Sequence, residues 1–289
     1  IIYSVFVEKV SAANAKAVDV TKDTYNVYIT GLDTKGSIDI QSRSDVNMLM
    51  TINPVTKKIL LTSIPRDYYV KLHTYQSMDK LTHSGIYGAE ETVATIEDLF
   101  DIDINYYVKC NFSTVVSLVD AIDGVDVESE QSFTTHGREN TGYSFVAGEN
   151  HLDGGAALAF ARERKSFAGG DRQRIKNQQL VLEAVLKKVS SSKTLLTNYS
   201  SILSAISEYL ETSFTDTELK SIAKMQLNDM AEWDITKISL DGKGSSKPCY
   251  AAGNAYASVI LQDEDSIAKA REAIAQIYGG NEVDLGDQE

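Results

Sequence analysis

Apolar positions along the chain recur with two periods, two residues and between three and four, and these define the elements. YNVYITGLD at 25–33 alternates aromatic and β-branched residues with smaller ones, which predicts a strand ending at Gly31. VNMLMTINP and KKILLTSIP are two apolar runs separated by NPVTK, and they predict a hairpin. The spacing predicts helices over 8–18, 89–100 and 112–122, the last ending near Gly124. Further helices are expected over 172–189, 197–210, 215–230 and 264–278. In the 172–189 helix, Leu180, Val181, Ala184, Val185 and Leu186 form the apolar face. INYYVKCN, GVDVE and ITKISL are further strands, and HLDGG at 151–155 reads as a turn.

Short apolar strands alternating with helices predict an α/β fold, a sheet covered on both faces by helices. The hairpin makes that sheet mixed. No linker interrupts residues 22–280, so the chain reads as one domain with a short N-terminal extension.

Composition changes this picture only in part. At 289 residues the chain can bury a sizeable core, and its apolar and charged fractions are those of a globular protein. The formal net charge of -13 argues against a nucleic-acid partner, because such binding rests on neutralising many phosphates. It leaves room for a small anion in a local basic pocket. Such a pocket is suggested by ARERKSFAGGDRQRIKNQQ at 161–179, which gathers six cations around a Gly-Gly pair against Glu163 and Asp171.

If FARER is extended, Arg162 and Arg164 project to one side and Glu163 to the other. Asp171 is the expected N-cap of the following helix. Arg174 and Gln178 are one turn apart on one helix face, near free N–H groups that favour an anion. A solvated basic face is the alternative reading of the same residues. Asp33, at a strand end, and Asp45, just before the next strand, could together hold a hard cation such as Mg²⁺. Turn and cap roles fit them as well, and spacing alone favours those. Arg43 shares a direction with Asp45 if the segment is extended. Arg66 follows Pro65 out of an apolar run, either as a phosphate ligand or as an exposed loop charge.

No nucleophile elbow, Cys–His pair or phosphate-cradling Gly-rich loop is present, and the four histidines lack metal-ligand spacing. His73, His83, His136 and His151 read as loop or polar-core residues. Cys110 and Cys249 could pair in an oxidising compartment or remain buried thiols. No run of eighteen apolar residues occurs. The chain opens at Ile1 without Met, as a stump behind a removed upstream segment would.

The order of the pieces is more specific than any one of them. ITGLDTKG, SRSDVNMLMTINP, ILLTSIPRDYYV, DKLTHSGIYG, FSTVVSLVDAIDGVDVE and LDGGAALAFARERKSFAGGDRQRIKNQQLVLEAV follow one another as in the LytR-CpsA-Psr family, which this chain strongly resembles from about Tyr25 to about Val189. The resemblance implies an α/β/α sandwich with a central mixed sheet and a hydrophobic tunnel between sheet and helices for a polyprenyl chain. It implies a catalytic domain over 22–282, behind an extension at 1–21 and ahead of a tail at 283–289. It further implies a membrane anchor upstream, and a position on the outer face of the membrane of a Gram-positive-type bacterium.

The implied activity is transfer of a glycopolymer, such as wall teichoic acid or capsular polysaccharide, from a polyprenyl-pyrophosphate carrier to peptidoglycan. Asp33 and Asp45 become the Mg²⁺ carboxylates. Arg43, Arg66, Arg162, Arg164, Arg174 and Gln178 become the pyrophosphate ligands. Arg66, Arg162, Arg164 and Asp33 are the expected catalytic residues. Asn177 departs from the pattern, since many relatives carry Arg there. A pyrophosphate hydrolase and a non-catalytic carrier-binding module are the rival readings, separated from a transferase by their products.

Overall fold

In the computed structural model, residues 16–39, 41–136 and 142–284 are described. The helix expected over 8–18 falls largely outside them. The first part of the chain runs β1 (Tyr25–Leu32), β2 (Ser44–Asn53), β3 (Lys58–Ser63), β4 (Tyr69–Lys71), β5 (Met78–Lys80), α1 (Leu81–Ser84), α2 (Ala89–Phe100) and β6 (Tyr106–Asn111). It continues through α3 (Phe112–Ala121), β7 (Val125–Ser129), β8 (Phe133–Thr134), β9 (Ser144–Phe145), β10 (Gly148–Leu152), α4 (Gly154–Arg162) and α5 (Asp171–Ser191). The remainder is α6 (Lys193–Thr197), α7 (Tyr199–Ile206), β11 (Leu210–Thr212), α8 (Asp216–Asp229), β12 (Asp234–Ser239), β13 (Gly242–Cys249), β14 (Ala255–Gln262) and α9 (Glu264–Tyr278).

Contacts divide the chain into two compact units. One holds the described chain up to Asn111, with Leu210–Ile222 and the part from Asp234 onward. The other holds Phe112–Tyr209 and Ala223–Trp233.

The first unit carries a six-stranded sheet in the order β11-β6-β1-β2-β3-β12. β1–β2, β2–β3 and β6–β11 are antiparallel, whereas β1–β6 and β3–β12 are parallel, so the sheet is mixed as expected. One sheet face presents Tyr28, Leu49 and Leu60 to Ile96, Leu99 and Phe100 of α2 and to Ile267, Ala270, Ile274 and Ile277 of α9. Burial of that set is the main stabilising term of the unit. The other face carries Val27, Ile29, Val46, Met48, Met50, Leu61 and Val108 through the two-residue alternation.

A buried polar stripe crosses the α2/α9 face. Tyr28 Oη donates to Asn47 Oδ1 at 2.5 Å, Ser44 Oγ donates to the same oxygen at 2.6 Å, and Thr30 Oγ1 lies 2.6 Å from Ser44 Oγ. Burial is the first cause holding the Tyr28 phenol far above its ordinary value. This hydroxyl therefore works as a fixed donor that pins the first residues of β2.

In the second unit, α3, α4 and α5 pack with β7 and β10 around Phe133, Phe145 and Phe160. Three expectations are corrected here. HLDGG is not a turn: it ends β10 and starts α4, because Asp153 caps the helix by accepting from Ala156 N at 2.8 Å. FARER is not extended throughout: α4 continues to Arg162, and Glu163 adopts extended backbone. The helix expected over 197–210 is α6 followed by α7, and its end becomes the edge strand β11. Among the described residues no helix is long and apolar enough to cross a membrane.

Candidate functional site

The first unit gathers chemistry where β1 ends and β2 begins. The register jumps there: Gly31 faces Val46, but Leu32 faces Ser44. Asp45 is the extra residue of a β-bulge, a device that re-aims a side chain. Asp45 thus lies inside the strand rather than before it, and the simple two-residue alternation with Arg43 does not hold. The Asp45 carboxylate accepts from Arg66 Nη1 at 3.1 Å and from Thr82 Oγ1 at 3.2 Å, both on Oδ1. Thr82 N also donates to Arg66 O at 2.8 Å. One buried threonine on α1 therefore fixes both the acid and the backbone of the arginine.

Arg66 keeps 27% of its side chain exposed, which allows it to meet a ligand. Arg43 is exposed in the segment leading into β2, and Asp33 is exposed in the bend after β1. Since Leu32 pairs with Ser44, Asp33 and Asp45 sit at the same end of two adjacent strands. Two carboxylates with the remaining positions left to water and phosphate form the donor set Mg²⁺ favours. Among the described residues no cluster of three or more His, Cys, Asp or Glu is arranged for a metal. Asp33 and Asp45 are the residues here that could hold such an ion.

Gly85, which no spacing argument singled out, holds this arrangement. A Cβ there would lie 2.6 Å from Ser42 O and 2.8 Å from Ser44 N, both backbone atoms flanking Arg43. Gly85→Ala should push the Arg43–Asp45 segment away. We expect a stability loss of about 1–3 kcal/mol and an activity loss of at least roughly tenfold, read by thermal unfolding and by turnover on the same preparation. A variant with full activity would show that the close approach is unimportant.

The second unit holds the other cations. Arg162 ends α4 with its guanidinium 3.9 Å from the centroid of the Phe112 ring, a cation–π contact that orients it. Arg164 is exposed two residues later. Between them Glu163 is 5% exposed, with Oε1 accepting from Lys165 N at 2.7 Å and Ser166 N at 3.0 Å, and Oε2 from His136 N at 3.0 Å. Burial alone would raise its carboxyl, but hydrogen bonds from the backbone amides of His136, Ser166, Lys165 and Arg164 outweigh it and hold the group below the usual carboxylate value. Glu163 is thus the knot that sets the turn between the two arginines.

Its stabilising contribution is full above the unfolded value near 4.5 and is lost as pH falls through the lower folded value. Glu163→Gln should cost about 1–3 kcal/mol at neutral pH. In urea unfolding the difference from wild type should shrink below pH 4.5. An equal difference at both ends would assign the stability to another group.

The Gly-Gly pair has a specific use. Gly170 has φ of +48°, which lets the chain reverse into α5. Asp171 is the first residue of α5 rather than its cap, and its Oδ1 meets Arg174 Nη2 at 2.8 Å. Gln178 is half-buried one turn further along the helix. Asn177 is 1% exposed, and its Nδ2 donates to Phe160 O at 3.0 Å. It ties α5 to α4, so the missing cation at this position is replaced by a packing contact. The two cysteines are free thiols.

A family model described as the LytR_cpsA_psr family matches residues 5–273. The chain belongs to that family. A protein named polyisoprenyl-teichoic acid–peptidoglycan teichoic acid transferase TagU, from Bacillus cereus (strain AH820), is 34% identical over 218 residues, covering 75% of this chain and 69% of that protein. The crystal structure of B. subtilis TagV matches with a TM-score of 0.71 and 27% identity, over 90% of this chain and 99% of that one. A structure of TagT bound to LI-WTA matches with a TM-score of 0.70 and 25% identity, over 94% of this chain and 97% of that one.

Proposed function

We propose that this chain transfers a teichoic-acid-type polymer from a polyprenyl-pyrophosphate carrier to peptidoglycan. The observation that carries this reading is the Asp45–Arg66–Thr82 cluster on the β-bulge, at the R-S-D and I-P-R-D motifs of a family whose relatives bear that activity in their names. A hydroxyl of the acceptor sugar attacks the phosphorus that bears the polymer. The bond from that phosphorus to the bridging oxygen breaks, polyprenyl phosphate leaves, and a phosphodiester joins polymer to wall.

Such a transfer asks the protein for positioning and for charge on phosphate oxygens. Arg66, oriented by Asp45, and Arg43 supply fixed positive charge in the first unit. Within the second unit, Arg162, Arg164 and Arg174, with Gln178 as a neutral donor, form a basic set of the same chemistry. The arginine fork suits bidentate hold on phosphate oxygens. Mg²⁺ held by Asp33 and Asp45 would neutralise charge on those oxygens. Asp33 is also our candidate acceptor for the proton of the attacking hydroxyl, although a carboxylate that holds a metal ion is a weak base. The apolar sheet face of Ile29, Val46, Met50 and Val108 supports a site for the polyprenyl chain. With the family likeness we assign the working protein to the outer cell surface, held by a membrane anchor ahead of the catalytic domain.

Labelled carrier-linked polymer incubated with peptidoglycan tests the reading. Label recovered on peptidoglycan supports transfer, free phosphorylated polymer would make the chain a hydrolase, and unchanged donor would make it a binding module. Arg164→Ala, an exposed residue, should abolish the adduct without altering the unfolding temperature by more than a few degrees.

A further inference from the structure

We infer that Tyr75, Tyr87 and Tyr250 form a docking platform for an uncharged amino-sugar strand, the acceptor glycan of the transfer proposed above, on which this assignment rests. The three rings form one cluster, with centroids 4.3 Å apart for Tyr75–Tyr87, 5.3 Å for Tyr75–Tyr250 and 6.5 Å for Tyr87–Tyr250. Tyr75 and Tyr250 are 37% and 38% exposed, as are the neighbouring Ile86 and Met78 at 37% and 39%. A contiguous aromatic surface of this kind, left open to water, marks a binding site.

The platform is built rather than accidental. Its rings come from the β4–β5 turn, the short 3₁₀ turn Gly85–Tyr87 and the 3₁₀ turn Tyr250–Ala252. The fully buried carboxylate of Asp79 ties these segments together. Its Oδ1 accepts from Lys80 N at 2.7 Å and lies 2.6 Å from His83 Nδ1, and its Oδ2 accepts from Ala251 N at 2.7 Å. Glu91 holds Thr74 N, beside Tyr75, with both oxygens, at 3.2 and 3.3 Å. The rings are therefore fixed before any ligand arrives, which lowers the ordering cost of binding.

The chemistry of the platform selects its occupant. Aromatic faces suit the apolar C–H faces of pyranose rings, and phenolic hydroxyls suit their polar edges. Among the described residues, no hydrogen-bond partner is found for the hydroxyl of Tyr75, Tyr87 or Tyr250, so all three are available to a ligand. Burial, and then the carboxylate of Asp79 and the neighbouring tyrosines and Glu91, push the Tyr87 phenol up. A phenol held neutral in this way can donate to a ring or hydroxyl oxygen of a neutral sugar. Position agrees with this choice: the run that ends in Tyr87 carries Thr82, which touches Asp45, and Gly85, which abuts Ser42 and Ser44. The platform and the Asp45 cluster are thus joined by one short run of the first unit.

The test uses the full chain with a tetramer of N-acetylglucosamine as the probe and a glycerol-phosphate oligomer as the competing ligand. Calorimetry should detect the tetramer, and Tyr75→Ala and Tyr250→Leu should each weaken it at least tenfold. In the transfer assay the ratio of acceptor KM to donor KM should rise at least tenfold in both variants. Unchanged tetramer affinity in both variants, or binding of the glycerol-phosphate oligomer in its place, would overturn the assignment. Donor consumption by the wild-type chain is read separately: its absence would sink the proposed transfer reaction, while tetramer binding would still report on the platform.

Discussion

Arg66→Ala should lower polymer transfer by on the order of a hundredfold or more while the protein remains folded. The residue carries a planar, permanently charged fork, which the proposed reaction uses against phosphate charge. It is only partly buried, and its ion pair with Asp45 is a contact of 3.1 Å. Losing that pair costs little stability beside the loss of charge at the reacting phosphorus. Arg66→Lys separates charge from geometry, since lysine keeps the charge but not the fork. It should recover part of the rate and remain about tenfold or more below wild type. Single-turnover rates with labelled donor measure both variants, and a near wild-type rate for Arg66→Ala would remove the residue from the site.

Asp45→Ala is the second large effect. The carboxylate sits on the bulge, accepts from Arg66 and Thr82, and faces the same strand end as Asp33. Removing it should loosen Arg66 and, on the proposed metal site, weaken the hold on Mg²⁺. The expected result is a rate loss of about a hundredfold, with a Mg²⁺ concentration dependence shifted to higher metal. Asp33→Ala should shift the metal dependence in the same direction and leave Arg66 in place. If both variants titrate with Mg²⁺ as the wild type does, the two carboxylates are structural.

The parts of the fold legible in the sequence are those whose side chains carry a strong period. α2 and α9 bury one apolar face each, β1 and β3 are buried on nearly every residue, and the apolar runs of these elements and of β2 and β6 mark them. α4 was hidden because its start, Gly154–Gly155, reads as a breaker. The structure needs that glycine, since a Cβ on Gly154 would lie 2.3 Å from Val116 O. β13 and β14 were hidden for the opposite reason: GKGSSKPC and AYASVILQ form a largely exposed hairpin, where no apolar alternation is required.

The candidate site divides in the same way. Asp33, Arg43, Asp45, Arg66, Arg162, Arg164, Arg174 and Gln178 were marked by motif order. The residues that hold several of them were not, because their roles depend on contacts distant in sequence. Thr82 reaches Asp45, Gly85 reaches Ser42 and Ser44, and the Glu163 side chain accepts from His136. Glu163 did carry a signal: an acid between two arginines in a cation-rich run, which the extended reading turned away from them. The bulge at Asp45 had no signal, since a one-residue slip leaves no trace in composition.

Mass spectrometry of the joined product tests the central claim most directly. Wild-type protein, labelled carrier-linked polymer and peptidoglycan are incubated, and the wall is then digested to its sugar units. The account predicts a sugar unit carrying the polymer through one retained phosphorus, with polyprenyl phosphate released in equal amount. Polymer joined without phosphorus, or released as free phosphate ester with no adduct, would contradict it.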